Sequence, residues 1–364
     1  MQRSKRLRVR LVAGGLSLFL VGLCWLCFHQ TSLLDRSTVV PGSEHAAFYR
    51  WRSNSEILLF PYFHGSSTAT PLVMLNTTTG ERKSLSASEA FPKPTNLNPN
   101  YLDGYSSPDG KQLLWIGKTN TAVKQAGYNS FTVHALNGPQ QSQCTIYGKR
   151  GVYDNDSAVI WLPDSRRWVE WTTQAFPRGP FLQFIRTARL HDLAAPDKDR
   201  TLSVPSKTST LIGCTPDGHL VSGMFSRNLN RTYAEVTLAI SSLEGDGRAT
   251  QHNTIKIPER ASMRDLMLSP QGDRMLWWLQ KEPLKLGAVV QKLSHNRLGS
   301  VRTPLTDSLW VSRLDGREMH EIGSQRGVQG QGGWPQQLAW VQWRPDGRHI
   351  SFYYKDAIYT APTD

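Results

Sequence analysis

Ten histidines are spread along the chain, at His29, His45, His64, His134, His191, His219, His252, His295, His320 and His349. No two of them have the His-x-x-x-His spacing of a zinc site, and no cysteine pair beyond the apolar front of the chain has the spacing of zinc ligands. The sequence contains neither the Gly-x-Ser-x-Gly elbow of a hydrolase nor a phosphate-cradling P-loop. Four aspartates recur in one setting: Asp109, Asp164, Asp217 and Asp346 each follow a proline. Side chains at such positions bond to nearby backbone N–H groups, so these carboxylates are expected to shape turns rather than move protons. Glu170 stands apart, because equivalent positions elsewhere hold Phe60, Trp115, Trp277 and Phe352. It is either an acid facing a central channel, suited to a cation or a ligand amine, or part of a strand shifted by one residue. The shift would place it in solvent, and that is the expectation. Another candidate group is basic: Lys285, Lys292, Arg297 and Arg302 lie between Lys281 and Asp307, among Leu284, Leu286, Val289, Val290 and Leu293. A stretch this long is uncommon unless functional or disordered. It reads as a solvated loop or, if functional, as an arm gripping a partner or anionic head groups. No residue is assigned a catalytic, cofactor-binding or metal-ligating role, and no cofactor is expected.

The elements that would position these groups come from a repeat. Ser107-Pro108-Asp109-Gly110 returns as Leu162-Pro163-Asp164-Ser165, Thr215-Pro216-Asp217-Gly218, Ser269-Pro270-Gln271-Gly272 and Arg344-Pro345-Asp346-Gly347. A degenerate first copy is Arg52-Ser53-Asn54-Ser55. Counted at the proline position, the steps are 55, 55, 53, 54 and 75 residues. A fixed period of this size marks an array of supersecondary units. Proline pre-sets the second turn position and glycine accepts the positive φ that follows. Each turn leads into a β-rich run, such as Ile57–Phe60, Leu113–Ile116 or Met275–Trp278, and a second apolar run follows, such as Leu72–Leu75 or Leu309–Val311. Columns two residues before the proline (Trp51, Ser106, Trp161, Cys214, Leu268, Trp343) and five after it (Leu58, Leu113, Trp168, Val221, Met275, Ile350) stay mostly apolar. Alternating apolar columns are expected where strand faces are buried against neighbouring units.

These Pro-Asp-Gly units resemble those of TolB-like, WD-repeat-related propellers over residues 41–364. The resemblance implies an all-β fold: a six-bladed propeller of four-stranded antiparallel blades, generally acting as a rigid docking platform. Residues 41–364 allow 54 per blade. The last blade lacks an outer strand of its own, and residues 29–40 are expected to act as linker and closing strand, with Arg36–Val40 completing that sheet. The stretch 281–307 is an insertion in the fifth blade.

Residues 1–10 carry Arg3, Lys5, Arg6, Arg8 and Arg10 and no acid, and residues 11–28 run without a charge. At ~1.5 Å per residue that helix would be about 27 Å long, close to a bilayer core. An uncleaved signal anchor is expected in preference to a cleaved signal, since His29–Leu33 offers no small-x-small site. A lipoprotein cysteine at Cys24 or Cys27 fits less well, because leucine precedes both. Basic flanks stay cytoplasmic, which puts the propeller on the extracytoplasmic side, periplasmic or extracellular. The formal charge is +13, five of those positive charges lie in the tail, and +8 remains for the rest. With the propeller placed outside the cytoplasm, nucleic acid is not expected as a partner, whereas a protein or envelope component is. Cys144 and Cys214 fall in different units, too far apart for a disulfide. The reading that follows is a membrane-tethered, non-enzymatic protein-interaction or ligand-binding platform. The alternative is a channel-mouth small-ligand or metal-dependent hydrolase-type propeller.

Overall fold

In the computed structural model the described residues are 32–44, 48–60, 72–85, 103–118, 128–135, 148–149, 157–178, 181–195, 198, 200–202, 210–227, 233–243, 249–258, 261–281, 305–329, 335–336 and 338–364. The basic tail and apolar run of residues 1–28 lie outside them. Among the described residues no helix is long and apolar enough to cross a membrane.

The chain is an all-β propeller of four-stranded antiparallel blades. Six such sheets are described, the first five built in chain order from the inside outward. The first comprises Phe48–Trp51, Glu56–Phe60, Val73–Asn76 and Arg82–Ser84; the second Asp103–Ser106, Gln112–Lys118, Tyr128–Ala135 and Gly148–Lys149. Sheet three is Ser157–Trp161, Arg167–Arg178, Phe181–Asp192 and Arg200–Leu202, and sheet four Thr210–Cys214, His219–Arg227, Tyr233–Ser242 and Ala249–Lys256. Ala261–Leu268, Arg274–Lys281, Thr306–Arg313 and His320–Arg326 make sheet five. In sheet six, Ala339–Trp343, His349–Tyr354 and Ala357–Pro362 are joined by Thr38–Val39, which pairs antiparallel with Tyr359 and Thr360. Sheet five pairs Gln280 with Asp307 and Lys281 with Thr306, so both ends assigned to the 281–307 insertion belong to strands. Backbone pairing continues there because the two strands stay in register up to the point where the chain leaves.

The second strand of each sheet is apolar on both faces, and the reason is packing. Six clusters fill the six seams between sheets. Leu58 and Phe60 meet Leu113, while Leu114 meets Trp161 and Trp168. Val169 and Trp171 meet Leu211 and Leu220, and Val221 and Val236 meet Met275 and Trp277. Leu276 and Leu309 meet Ile350 and Phe352, and Ile358 meets Tyr49, Trp51 and Ile57. Sheet six thus packs back onto sheet one, where the Ser351 hydroxyl lies 2.9 Å from the Tyr49 hydroxyl and accepts from Trp51 Nε1 at 2.7 Å. Tryptophans of the recurring inner-strand column repeat this stapling: Trp161 Nε1 donates to Tyr105 O and Trp343 Nε1 to Met267 O.

The Pro-Asp-Gly turns touch one another around one end of the ring. Arg52 Nε donates to Gly110 O at 2.9 Å, Asp109 N to Ser165 Oγ at 3.0 Å, Gln271 Nε2 to Asp346 O at 3.1 Å, and Arg344 Nη2 to Asn54 O at 2.7 Å. Gly110 has φ +69°, and a Cβ there would sit 2.5 Å from Arg52 O, so the contact needs glycine. The aspartates shape these turns. Asp164 Oδ1 accepts from the Arg166 and Arg167 amides, and Asp346 Oδ1 from those of Arg348 and His349. Burial alone would raise the Asp164 pKa, but those amides and the Arg167 guanidinium outweigh it and hold it below the usual carboxylate range. Asp109 and Asp346 are depressed in the same manner, against the opposing effect of burial. A folded-state pKa below the unfolded value stabilises above the ordinary carboxylate range, and that contribution is lost as pH falls through the folded pKa. Thermal melts should therefore lose stability as pH drops below about 4, and Asp164→Asn should flatten that acid limb. An unchanged limb would remove the turn role.

Candidate binding site at the axial mouth

Inner strands run towards the Pro-Asp-Gly turns. Their starting ends define the opposite face, where the connections 61–71, 86–102, 119–127, 150–156, 203–209, 228–232 and 282–305 leave and return. One face carries the Pro-Asp-Gly turns together with the connection 136–147, and the other receives most of the remaining length between strands. Variable connections on a rigid scaffold are the usual carriers of binding.

Three inner strands are bulged, with register shifts between Leu211 and Gly213, Met263 and Asp265, and Ala339 and Gln342. A bulge re-aims side chains, and such irregularities gather beside functional sites. In sheet six it carries Trp340, which has φ +52° and remains 45% exposed. A bulky residue held in that conformation stores strain of about 1–3 kcal/mol, which the surrounding packing must offset. The surroundings do so: Trp340 meets the Phe48 ring edge-on at 4.5 Å, and its carbonyl accepts from the Tyr49 hydroxyl at 3.0 Å. Burial raises the Tyr49 pKa, against opposing hydrogen bonds to Ser351 and Gln342, so this donor keeps its proton.

Phe48 is also one wall of a cation site. The Arg50 guanidinium carbon stands 4.9 Å from the Phe48 centroid and 4.9 Å from that of Tyr105 in sheet two. Stacking of this kind orients a guanidinium. On the inner strand of sheet five, Asp265 Oδ1 accepts from the Leu266 amide at 2.8 Å. By area Asp265 is open to solvent, yet enough protein surrounds it that desolvation raises its pKa, with the Leu266 amide and the Arg50 charge opposing. Sheet six lies between sheets one and five, so Arg50 and Asp265 belong to sheets that flank it. The mouth thus offers a fixed cation, a carboxylate disposed to hold a proton, and an exposed indole.

The candidates read from sequence lie elsewhere. Lys285, Lys292, Arg297 and Arg302 are outside the described residues. Glu170 is neither in solvent nor on the axis: its side chain is 2% exposed, in the seam between sheets two and three. Alternation puts it on the same face as Trp168, which packs against Leu114. Its Oε2 lies 3.3 Å from His191 Nε2, and the His191 ring stacks on Trp168 at 5.2 Å. Glu170 Oε1 is buried without a protein partner. Asp307, completely buried, accepts from Trp278 Nε1 at 3.2 Å and Leu338 N at 3.3 Å, tying sheet five to the entry of sheet six. Burial raises its pKa, with those bonds and the Arg264 charge opposing. Cys214 is a free, partly buried thiol whose pKa is pushed up to about 12 by burial, then by the charges of Asp217 and Asp164. Cys144 lies outside the described residues.

Arg50, Trp340 and Asp265 went unremarked in the sequence, although a signal was present. Five residues before the proline position stand Phe48, Asp265 and Trp340, and three before it stand Arg50 and Tyr105. Those columns lie opposite in phase to the buried tryptophan column.

No family model matches the chain, and no curated protein does. Among solved structures it resembles a protein assigned as TolB from Agrobacterium tumefaciens, at TM-score 0.46 and 14% identity over 87% of this chain and 89% of that one. Tricorn protease gives 0.48 and 10% over 87% of this chain and 29% of its own. An acylaminoacyl peptidase from Pyrococcus horikoshii gives 0.44 and 15% over 87% and 45%. The chain spans less than half the length of either peptidase. Likeness at this level speaks to neither partner nor chemistry.

Proposed function

We propose that this chain is a non-enzymatic binding platform: a closed ring of six blades, tethered to a membrane by residues 11–28 and held on its extracytoplasmic side. Its partner is a protein or envelope component, engaged at the axial mouth. The observation that carries this reading is Trp340, an exposed indole held in a strained backbone and backed by Phe48, on whose ring Arg50 also stacks. Binding energy at protein interfaces concentrates in a few tryptophan, tyrosine and arginine anchors. A rigid indole beside a stacked guanidinium supplies two such anchors without ordering a flexible side chain, which lowers the entropic cost of association. Asp265 adds a carboxylate for a partner's amine or amide.

The channel-mouth metal-dependent rival requires converging ligands; among the described residues no group of three or more His, Cys, Asp or Glu could hold an ion. The test uses the full chain in detergent as bait for envelope fractions. Proteins retained by the wild type should be lost with Trp340→Ala and with Arg50→Glu, each variant first shown to melt like the parent. A hot-spot anchor of about 2 kcal/mol corresponds to roughly thirtyfold weaker binding. A partner retained equally by both variants would move the site away from the mouth.

A further inference from the structure

One histidine has more acceptors than a neutral ring can serve. His320 opens the outer strand of sheet five. Its Nδ1 lies 2.9 Å from Glu318 O and its Nε2 lies 2.9 Å from Thr363 O. Both partners are carbonyl oxygens, which accept hydrogen bonds and never donate them. A neutral imidazole carries one N–H and one lone pair, so either tautomer serves one carbonyl and turns a lone pair on the other. Only the imidazolium donates to both, and bonds from a charged donor are the stronger kind.

The carbonyl from the end of the chain is fixed independently of the ring. Thr363 is completely buried, and its amide and hydroxyl both donate to Arg348 O, at 3.0 and 2.9 Å. Moving its carbonyl away from His320 would disturb those bonds. On the other side Glu318 has φ +53°, in the left-handed region that non-glycine residues seldom adopt. His320 therefore joins sheet five to the residues that follow the last strand of sheet six. The joint lies beside the strap that closes the ring. Arg36 of that strap donates from Nη1 to Ile322 O at 3.1 Å and from Nη2 to Asp364 O.

The charges gathered at this joint come from every element that meets there. Arg274 of sheet five donates to Asp364 Oδ1 at 3.1 Å and to Thr363 Oγ1 at 3.4 Å. In the turn, Arg313 pairs with Glu318 and Arg317 with Asp315; on the outer strand, Glu321 pairs with Lys281. The Arg313 guanidinium holds the Glu318 carboxyl below its usual range. Carboxylates, guanidiniums and ammoniums keep their charge between about pH 5 and 8, where imidazoles change theirs. Of the groups named, the His320 ring is the one that switches there.

We propose that His320 is a pH-sensitive latch on the closure of the ring. Charged, it clamps the end of the chain to sheet five; neutral, it gives up one of its two carbonyls and the joint loosens. The clamp is complete at low pH and is lost as pH rises through the titration of the ring. Its sign is opposite to that of the turn aspartates, whose contribution is lost on acidification.

The test is hydrogen–deuterium exchange of the full-length protein in detergent at about pH 5.5 and about pH 8, read over Ala357–Pro362 and corrected for the intrinsic pH dependence of amide exchange. In the parent these amides should exchange severalfold more slowly at the lower pH. His320 is exposed, so substitution leaves the core intact. His320→Gln, which can donate to one carbonyl and cannot become charged, should bring the ratio of the two rates close to one. Deleting Thr363 and Asp364 should do the same, and His320→Gln in that background should add nothing. Equal protection of the parent at both pH values would overturn the latch. So would a ratio that survives His320→Gln, or a full effect of His320→Gln in the shortened chain.

Discussion

Leu33→Ala should lower the unfolding free energy by about 2–5 kcal/mol, the usual cost of truncating a fully buried leucine. Gly323→Val should cost a similar amount by a different route. Its new Cβ would overlap Leu33 backbone atoms at 2.9 and 3.1 Å, and a backbone cannot swing aside as the end of a long side chain can. Both changes unseat one strap, which joins sheet five at Ser32 and supplies the outer strand of sheet six at Thr38–Val39. They should therefore be far from additive, because once the strap is released the second change has little left to remove. Urea melts of the two single variants and the double variant measure this. Additive effects, or a neutral Gly323→Val, would mean the strap is an ornament of the ring. The cost is high for a domain whose total stability is expected in the range of about 5–15 kcal/mol. An opened ring exposes the Tyr49–Ser351 seam and a free strand edge at Ala357–Pro362.

The second large effect belongs to the Glu170–His191 pair. His191→Ala should cost about 1–3 kcal/mol, since it leaves the buried Glu170 Oε2 without its hydrogen-bond partner. Replacing both, as Glu170→Phe with His191→Leu, should recover most of that loss and can exceed the parent by about 1–4 kcal/mol. Phenylalanine is a reasonable occupant because Phe60 and Phe352 fill the same column in other sheets, at 5% and 0% exposure. A thermodynamic cycle over the parent, the two single variants and the double variant reads the coupling. If His191→Ala were no more damaging than a surface substitution, the pair would not hold this seam. Glu170 Oε1, buried without a protein partner, contributes to the penalty already present in the wild type.

Periodicity alone determined a good deal. The turn copies, their spacing and the apolar columns around them specified repeated four-stranded antiparallel sheets, the strands that fill the seams and the role of the turn aspartates. Such features are local: alternation within a strand and φ preferences within a turn are carried by residues a few positions apart. The tertiary structure decided what depends on contacts between sheets. Gln271 and Ser165 look like defects of the repeat, yet their side chains bond to the next or preceding turn, Gln271 to Asp346 O and Ser165 to Asp109 N. Gly323 is an ordinary strand glycine until Leu33, 290 positions earlier, is laid against it. Glu170 seemed out of phase because its partner, His191, comes from the neighbouring strand. Trp340 stands exposed within the bulge between Ala339 and Gln342, where alternation no longer reads which way a side chain points. A repeat reports how each sheet is made, whereas the site arises where sheets differ, and only packing them around an axis brings those differences together.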